Sequence, residues 1–242
     1  SQFITGLLFA LSCIPEKSTL TVTGRFESAS YIDMTISVLR DFGKNVIRDG
    51  RVFKILPDSS FSSREYTVEG DWSGAAFLHA LNLTGGEVKV EGLAENTLQG
   101  DAVCLDIFKK MKEGFYTFDL SDCPDLAPIL FAMASVLNGA EFTGTARLKI
   151  KESDRAEAMR EELSKLGADL LVEENRVIIS KTELHSPASP ISSHNDHRIA
   201  MAMAVVLTLV GGEIEGAEAV TKSFPEFWEC LAQLQIGLKI YA

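Results

Sequence analysis

A glycine-punctuated repeat constrains this chain more than any single motif. An apolar helix, a glycine break, a short strand, a strand-ending glycine and a second helix follow one another in four successive copies, the last cut short. The strand-ending Gly24 and Gly92 each stand nine residues before an acid at the head of the next helix, Asp33 and Asp101; Gly144 and Gly216 stand ten before Asp154 and Glu226. The interval between copies exceeds that of common solenoid repeats. Each copy therefore reads as a βαβ-type supersecondary block, and several should pack around shared helices. The first helix of a copy, as in Ile199, Met201, Ala202, Ala204 and Val205, is apolar nearly all round, which predicts burial.

In chain order, periodicity and breakers predict helices over Gln2–Leu11, Tyr31–Phe42, Asp71–Leu81, Asp101–Met111, Asp125–Val136, Asp154–Leu166, Asp196–Leu209 and Phe224–Leu234. Strands are expected at Thr19–Val22, Asn45–Ile47, Arg51–Leu56, Glu87–Val90, Tyr116–Leu120, Glu141–Thr143 and Glu213–Ile214, with hairpin turns at Asp49-Gly50 and Glu174-Asn175. The Ser-rich stretch Pro57 to Arg64 is the best domain boundary, its linker running to about Tyr66. That divides the chain into 1–66 and 67–242. A second polar loop spans Leu184 to Ser193.

The charge of −11 and pI near 4.9, with no Lys/Arg run, argue against general nucleic-acid binding, while a few converging cations can still hold a small anion. The four cysteines, Cys13, Cys104, Cys123 and Cys230, are widely spaced without CxxC or Cys/His metal spacing, and read as reduced core thiols of a cytosolic-type protein. The histidines give no HExxH pattern, so no metal is expected. Ser1 to Ile14 lacks a basic region before it and a cleavage site after it, and reads as a buried helix. No apolar run approaches the ~20 residues that span a bilayer. The chain opens without Met inside a structural unit, which predicts a piece of a longer protein.

Chemistry gathers where helices begin. Lys149-Ile150-Lys151-Glu152-Ser153-Asp154-Arg155 puts cations and carboxylates at the mouth of an amphipathic helix. Read alone, it is a solvated first turn with Asp154 as N-cap and Glu157 closing a capping box. Asn195-Asp196-His197-Arg198 stands before a fully apolar run, where a large cation needs a partner. Lys222 precedes Ser223-Phe224-Pro225-Glu226, equally a capped first turn or a ligand contact. Asp125 after Pro124 is most simply a helix N-terminal acid, Glu152 a solvated carboxylate, Tyr31 a packing aromatic, and Phe227 and Trp228 core. If the copies are equivalent, these helix N-termini converge, and Lys151, Arg155, Arg198 and Lys222 supply charge for a doubly anionic ligand.

Lys151-Glu152-Ser153-Asp154-Arg155, Asn195-Asp196-His197-Arg198 and Lys222-Ser223-Phe224-Pro225, with Ser1-Gln2-Phe3 and Ser28-Ala29-Ser30-Tyr31-Ile32-Asp33, together resemble the 5-enolpyruvylshikimate-3-phosphate (EPSP) synthase family along the whole chain. The resemblance implies an α/β (α+β) enolpyruvyl transferase-like fold: two lobes in the parent, each of repeated βαβαββ units packed around buried helices. Residues 1–66 would be the last unit of the N-terminal lobe and 67–242 most of three units of the C-terminal lobe. It implies transfer of the enolpyruvyl group of phosphoenolpyruvate to the 5-hydroxyl of shikimate 3-phosphate in the shikimate pathway, by a cytoplasmic, monomeric parent, without metal or organic cofactor.

By the same resemblance Asp125 is the base at the hydroxyl, Glu152 with Lys151 transfers protons, and Arg155, Arg198 and Lys222 hold phosphoenolpyruvate. Ser1, Gln2, Ser28 and Tyr31 match the side that receives shikimate 3-phosphate; Asn195, Asp196, His197 and Arg147 are less firmly placed. Arg147 stands where some members carry Asn. The family's N-terminal half, with its early Lys-Ser and Arg ligands and its glycine-rich loop, has no counterpart here, so the chain alone is expected not to turn over. Two other readings compete: the sister transferase acting on UDP-N-acetylglucosamine, and a catalytically silent lobe that binds anions or another chain.

Overall fold

The structure, a computed structural model, describes residues 2–24, 26, 28–57 and 60–241. They fall into two units: Ser1–Glu69 with Ala94–Gly100, and Gly70–Leu93 with Asp101–Ala242. In the first, α1 (Gln2–Ser12) and α2 (Ala29–Asp41) pack on an antiparallel sheet of β1 (Ser18–Thr21), β2 (Val46–Asp49) and β3 (Val52–Ile55), in the order β1-β3-β2. Its core is small: Leu8, Ile32, Ile36, Leu39, Val46, Phe53 and Ile55. The hairpin turns at Gly50 and Arg51, with Asp49 paired to Val52. Gly50 takes φ 56, a left-handed angle that glycine adopts without steric cost.

The second unit is built around three buried helices, α3 (Trp72–Leu81), α5 (Ala127–Val136) and α7 (His197–Val210), numbered with α4 (Cys104–Glu113) between the first two and α6 (Arg155–Ser164) before the last. Their alanines, among them Ala76, Ala80, Ala132, Ala134, Ala200 and Ala202, are buried and let the backbones approach closely. All of α5 from Ala127 to Ser135 is buried, and so is α7 from His197 to Leu207. A mixed sheet of β4 (Thr117–Asp119), β5 (Ala140–Thr143), β6 (Leu170–Glu173) and β7 (Arg176–Ile179) runs β4-β5-β7-β6, parallel only at β4–β5. A two-residue parallel pair, β8 (Ile191–Ser192) with β9 (Ile214–Glu215), precedes α8 (Phe227–Gln233).

Several sequence-derived elements are corrected. Glu87–Val90 is not a strand, because alternation reports faces and not a partner: both Val88 backbone groups are taken by the Asn82 side chain, whose Nδ2 donates to Val88 O at 2.9 Å and whose Oδ1 accepts from Val88 N at 2.6 Å. The helix expected from Asp125 begins as a 3-10 turn, Pro124–Leu126, since Pro128 has no N–H for an α-type bond back to Pro124. Asp101 likewise lies in a 3-10 turn, Gly100–Val103, before α4. The last helix starts at Phe227; Ser223 closes the 3-10 turn Ala217–Lys222, so the Ser223/Glu226 capping box does not form. Cys13 is exposed rather than a core thiol, whereas Cys104 and Cys123 are buried. Phe227 is core and Trp228 packs against it, half-buried, with its indole N–H on Ala217 O at 2.9 Å.

Gly139, between α5 and β5, takes φ 74, and a Cβ there would come 2.6 Å from the Ile179 carbonyl oxygen of β7. Gly139→Ala should therefore cost about 2 kcal/mol or more, from left-handed alanine plus a backbone collision. Urea unfolding tests this, and a cost below roughly 0.5 kcal/mol would refute the crowding argument.

Candidate active site

Arg155, first residue of α6, is 1% exposed, and a guanidinium at that depth is tolerable only with its donors matched. They are. Nε donates to Asp196 Oδ2 at 2.8 Å, Nη1 to Asp125 Oδ1 at 2.8 Å and Nη2 to Glu152 Oε2 at 2.6 Å. Asp154 caps α6 through a 3.4 Å bond from Glu157 N, the N-cap expected from the sequence. One residue at the mouth of a helix thus ties three separate segments together.

Asp196 does two jobs at the start of α7. Its Oδ1 caps the helix by accepting from Arg198 N at 2.9 Å, while Oδ2 accepts from Arg155 and, at 3.1 Å, from Ser153 Oγ. Burial pushes its pKa up, but the Arg155 hydrogen bond and charge override this and hold it below the usual range. The capped turn then aims Arg198 at Asp125: Nη2 lies 3.2 Å from Asp125 Oδ2 and Nη1 3.3 Å from the Asp125 carbonyl oxygen. Lys151 Nζ adds a bond to Asp125 Oδ1 at 3.0 Å.

Asp125 is accordingly the hub of the cluster. Burial raises its pKa, yet the charges of Arg198, Lys151 and Arg155 outweigh burial and hold the carboxyl well below its ordinary range. Among these residues the cations Lys151, Arg155 and Arg198 balance the carboxylates Asp125, Glu152 and Asp196. The set is near-neutral as a whole, each cation answered by a carboxylate. Glu152 is the open member, 41% exposed. His197 is buried; burial first, then Arg198, lowers its pKa. Its Nδ1 has no hydrogen-bond partner among the described residues.

Lys222, exposed at the end of its 3-10 turn, donates to the carbonyl oxygen and, at 2.8 Å, to Oδ1 of Asn195. Asn195 follows His194 in a left-handed corner, φ 54 after φ 50. Asparagine and histidine accept that region better than most residues. Side chains secure the corner: Ser192 Oγ and Ser193 Oγ accept from His194 N and Asn195 N, and Glu162 Oε1 bonds His194 Nε2 at 2.8 Å.

The remaining sequence candidates lie elsewhere. Arg147 is half-buried on a 3-10 turn, Ala146–Ile150, between β5 and α6. Gln2, exposed, Ser28, buried with φ 54 at the N-cap of α2, and Tyr31, half-buried, belong to the first unit; Ser1 lies outside the described residues. The sequence reading passed over Ser153 as a ligand of Asp196, and over Ser73 and Asp101, which are buried and bonded to each other. A hydroxyl-bearing residue two before an Arg is a weak signal, and an Asp heading an apolar helix reads as a cap.

Among the described residues Glu161, Glu162 and His194 have ligand types and spacing that suit a metal ion. The Glu162 carboxylate is already committed to Lys165 Nζ at 2.7 Å and Ser192 N at 2.9 Å, which fits a structural role. A hollow of about 440 Å³ lined by Glu157, Arg160, Glu161, Ser164 and residues 168–170 contains no member of the Asp125 cluster. The site is recognised by its converging charge.

Residues 1–117 and 112–231 match the family model for EPSP synthase (3-phosphoshikimate 1-carboxyvinyltransferase). The chain belongs to the EPSP synthase family. It is 38% identical to the 3-phosphoshikimate 1-carboxyvinyltransferase of Clostridium acetobutylicum, covering 97% of this chain and 59% of that protein. It is 40% identical to that of Clostridium kluyveri, covering 95% of this chain and 58% of that protein. It thus spans less than two thirds of these relatives. An EPSP synthase structure from Acinetobacter baumannii superposes with a TM-score of 0.83 at 23% identity, covering all of this chain and 62% of that one. The enolpyruvyl transferase NikO from Streptomyces tendae gives 0.67 at 14% identity over 99% of this chain and 60% of that one. Both likenesses establish an enolpyruvyl transferase fold.

Because Asp125 is held below its unfolded value near 3.8, its contribution is present above that pH and lost as pH falls. Asp125→Asn, which leaves clustered cations unanswered, should lower stability at pH 7 by about 3 kcal/mol, with the gap to the parent chain closing below about pH 4. Urea unfolding across that range checks it; a gap constant with pH would refute the coupling.

Proposed function

We propose that this chain supplies the phosphoenolpyruvate-handling part of an enzyme that transfers the enolpyruvyl group of phosphoenolpyruvate to the 5-hydroxyl of shikimate 3-phosphate, releasing phosphate. The observation that carries this reading is the convergence of Lys151, Arg155 and Arg198 on one buried carboxylate, Asp125. The reaction needs the acceptor hydroxyl to lose a proton and the phosphoenolpyruvate methylene to gain one, after which the tetrahedral adduct expels phosphate. A base clamped by three cations is a poor base. An arriving phosphate and carboxylate recruit those cations, and Asp125 regains basicity as the substrate docks.

In this reading Glu152, open to solvent and adjacent to Lys151, handles the proton to the methylene carbon. Arg155, Arg198 and Lys222 hold the donor's anionic groups and stabilise the departing phosphate. Asn195 keeps Lys222 in place through two acceptors, and Asp196 fixes Arg155 and the first turn of α7. Arg147, near the same entry loop, and His197 flank this set. Ser1, Gln2, Ser28 and Tyr31 serve shikimate 3-phosphate, and residues 1–66 are the last repeat of one lobe while 67–242 form most of the other. The proposal extends to a monomeric cytoplasmic protein of aromatic amino acid biosynthesis without metal or cofactor. Among the described residues no helix is long and apolar enough to cross a membrane.

Relatives of greater length contain further chain that a two-sided site requires. The 242-residue chain should therefore release no phosphate from shikimate 3-phosphate and phosphoenolpyruvate in a coupled assay. A chain extended to the relatives' length should turn over, and Asp125→Ala should reduce its kcat by about 10²–10⁴-fold. Turnover by the 242-residue chain alone would overturn the requirement for further chain, and an active Asp125→Ala variant in the extended chain would overturn the base role of Asp125.

A further inference from the structure

Two buried, charged side chains of α6 reach the same short segment of chain. Arg155 and Glu162 are close to two full turns apart, so they share one face of the helix. Arg155 Nε donates to Asp196 Oδ2 at 2.8 Å. Glu162 Oε1 lies 2.8 Å from His194 Nε2, while its Oε2 accepts from Ser192 N at 2.9 Å and from Lys165 Nζ at 2.7 Å. Residues 194 and 196 are thus each tied to α6, and Asn195 stands between them. The mechanism above gives Glu162 and His194 no task.

The segment needs those ties. His194 and Asn195 are consecutive left-handed residues, φ 50 and φ 54, with no glycine to relieve them, and such a pair persists only where its surroundings hold it. Ser192 Oγ accepts from His194 N at 3.1 Å and Ser193 Oγ from Asn195 N at 3.2 Å, and Glu162 fixes the ring of His194. The corner so held turns both the carbonyl oxygen and Oδ1 of Asn195 toward Lys222 Nζ, which donates to each. The backbone of Lys222 is placed separately. Ser193 N donates to Glu215 O at 3.0 Å, and Gly216, at the start of the 3-10 turn that ends in Lys222, lies so close to Ser193 Oγ that a Cβ would collide with it. The backbone of Lys222 therefore follows the β8–β9 pair, and its ammonium follows Asn195.

We propose that Glu162 and His194 are positioning residues for Lys222. Glu162 fixes the imidazole, the imidazole and Ser192 fix the left-handed corner, and the corner sets the two oxygens that hold the Lys222 ammonium. With Arg155 on Asp196, α6 fastens the segment on both sides of Asn195, so one helix keeps Lys222 in register with Arg155. The donor half of this inference, that the placement of Lys222 governs phosphoenolpyruvate binding, rests on the function proposed above. The connection from Glu162 through His194 and Asn195 to Lys222 rests on the bonds alone.

The test separates the halves. Nitrogen-15 NMR of the Lys222 ammonium in the 242-residue chain reads the connection directly. His194→Asn keeps a residue that accepts the left-handed region but withdraws the ring from Glu162, and Glu162→Met removes the carboxylate. Hydrogen exchange of the ammonium should quicken about tenfold in each; if Glu162→Met does not fold, His194→Asn decides alone. An unchanged exchange rate overturns the proposal. Steady-state kinetics of a chain extended to the relatives' length read the donor half. His194→Asn should raise the KM for phosphoenolpyruvate about tenfold and that for shikimate 3-phosphate by no more than about twofold, and on a Lys222→Met background its effect on phosphoenolpyruvate should shrink to about twofold or less. Effects that simply add across the two substitutions overturn the positioning role, since a residue that merely supports the fold would weaken both backgrounds alike. A Lys222→Met variant with an unchanged KM for phosphoenolpyruvate, alongside faster exchange in His194→Asn, would refute the donor reading while supporting the connection.

Discussion

A guanidinium 1% exposed to solvent dictates the structure around it. Removing Arg155 from water costs several kcal/mol, which only full hydrogen bonding and opposite charge can offset. Burial alone lowers its pKa, but Asp196, Asp125 and Glu152 more than restore it. Those carboxylates come from the 3-10 turn before α5, the entry loop of α6 itself and the N-cap of α7. Arg155 therefore acts as a fastener whose geometry is met only when these helix beginnings are in register.

That register is set by the apolar part of the fold. Helices α5 and α7 are buried almost throughout and their alanines permit close contact, so their N-termini lie within reach of one side chain. Helix ends expose unpaired N–H groups and partial positive charge, which explains why acids collect there as caps and why the same place suits an anion. Asp196 illustrates the coupling: as N-cap it orders α7, and as partner of Arg155 it orders α6. The cations of the cluster are thus held by the same bonds that hold the helices.

Much of this was legible in the sequence because it is local. Apolar periodicity placed α5, α6 and α7 to within a few residues, and the Asp154 cap followed from its spacing to Glu157. The charged strings around Lys151 and Arg198 stood out because a large cation beside an apolar run needs a partner. What the sequence misjudged is non-local or sterically fine. Glu87–Val90 has strand alternation but lost its backbone groups to Asn82. Ser223 and Glu226 have capping-box spacing, but the preceding 3-10 turn uses Ser223 as its end. Asp101 looked like another helix-start acid, and nothing in its neighbours announced a buried carboxylate bonded to Ser73.

The sequence by itself determined the repeat of apolar helix, glycine break and strand, the identity of the charged residues at helix mouths, and membership of the EPSP synthase family, since each depends on side-chain chemistry and short-range spacing. Only the tertiary structure decided which cation meets which carboxylate. As a sequence, Lys151, Arg155 and Arg198 read equally well as three solvated charges; packing of α5 against both α6 and α7 aims them at Asp125. Pairing energy depends on distances of a few ångströms and on exclusion of water, and those are properties of folded neighbours far apart in the chain.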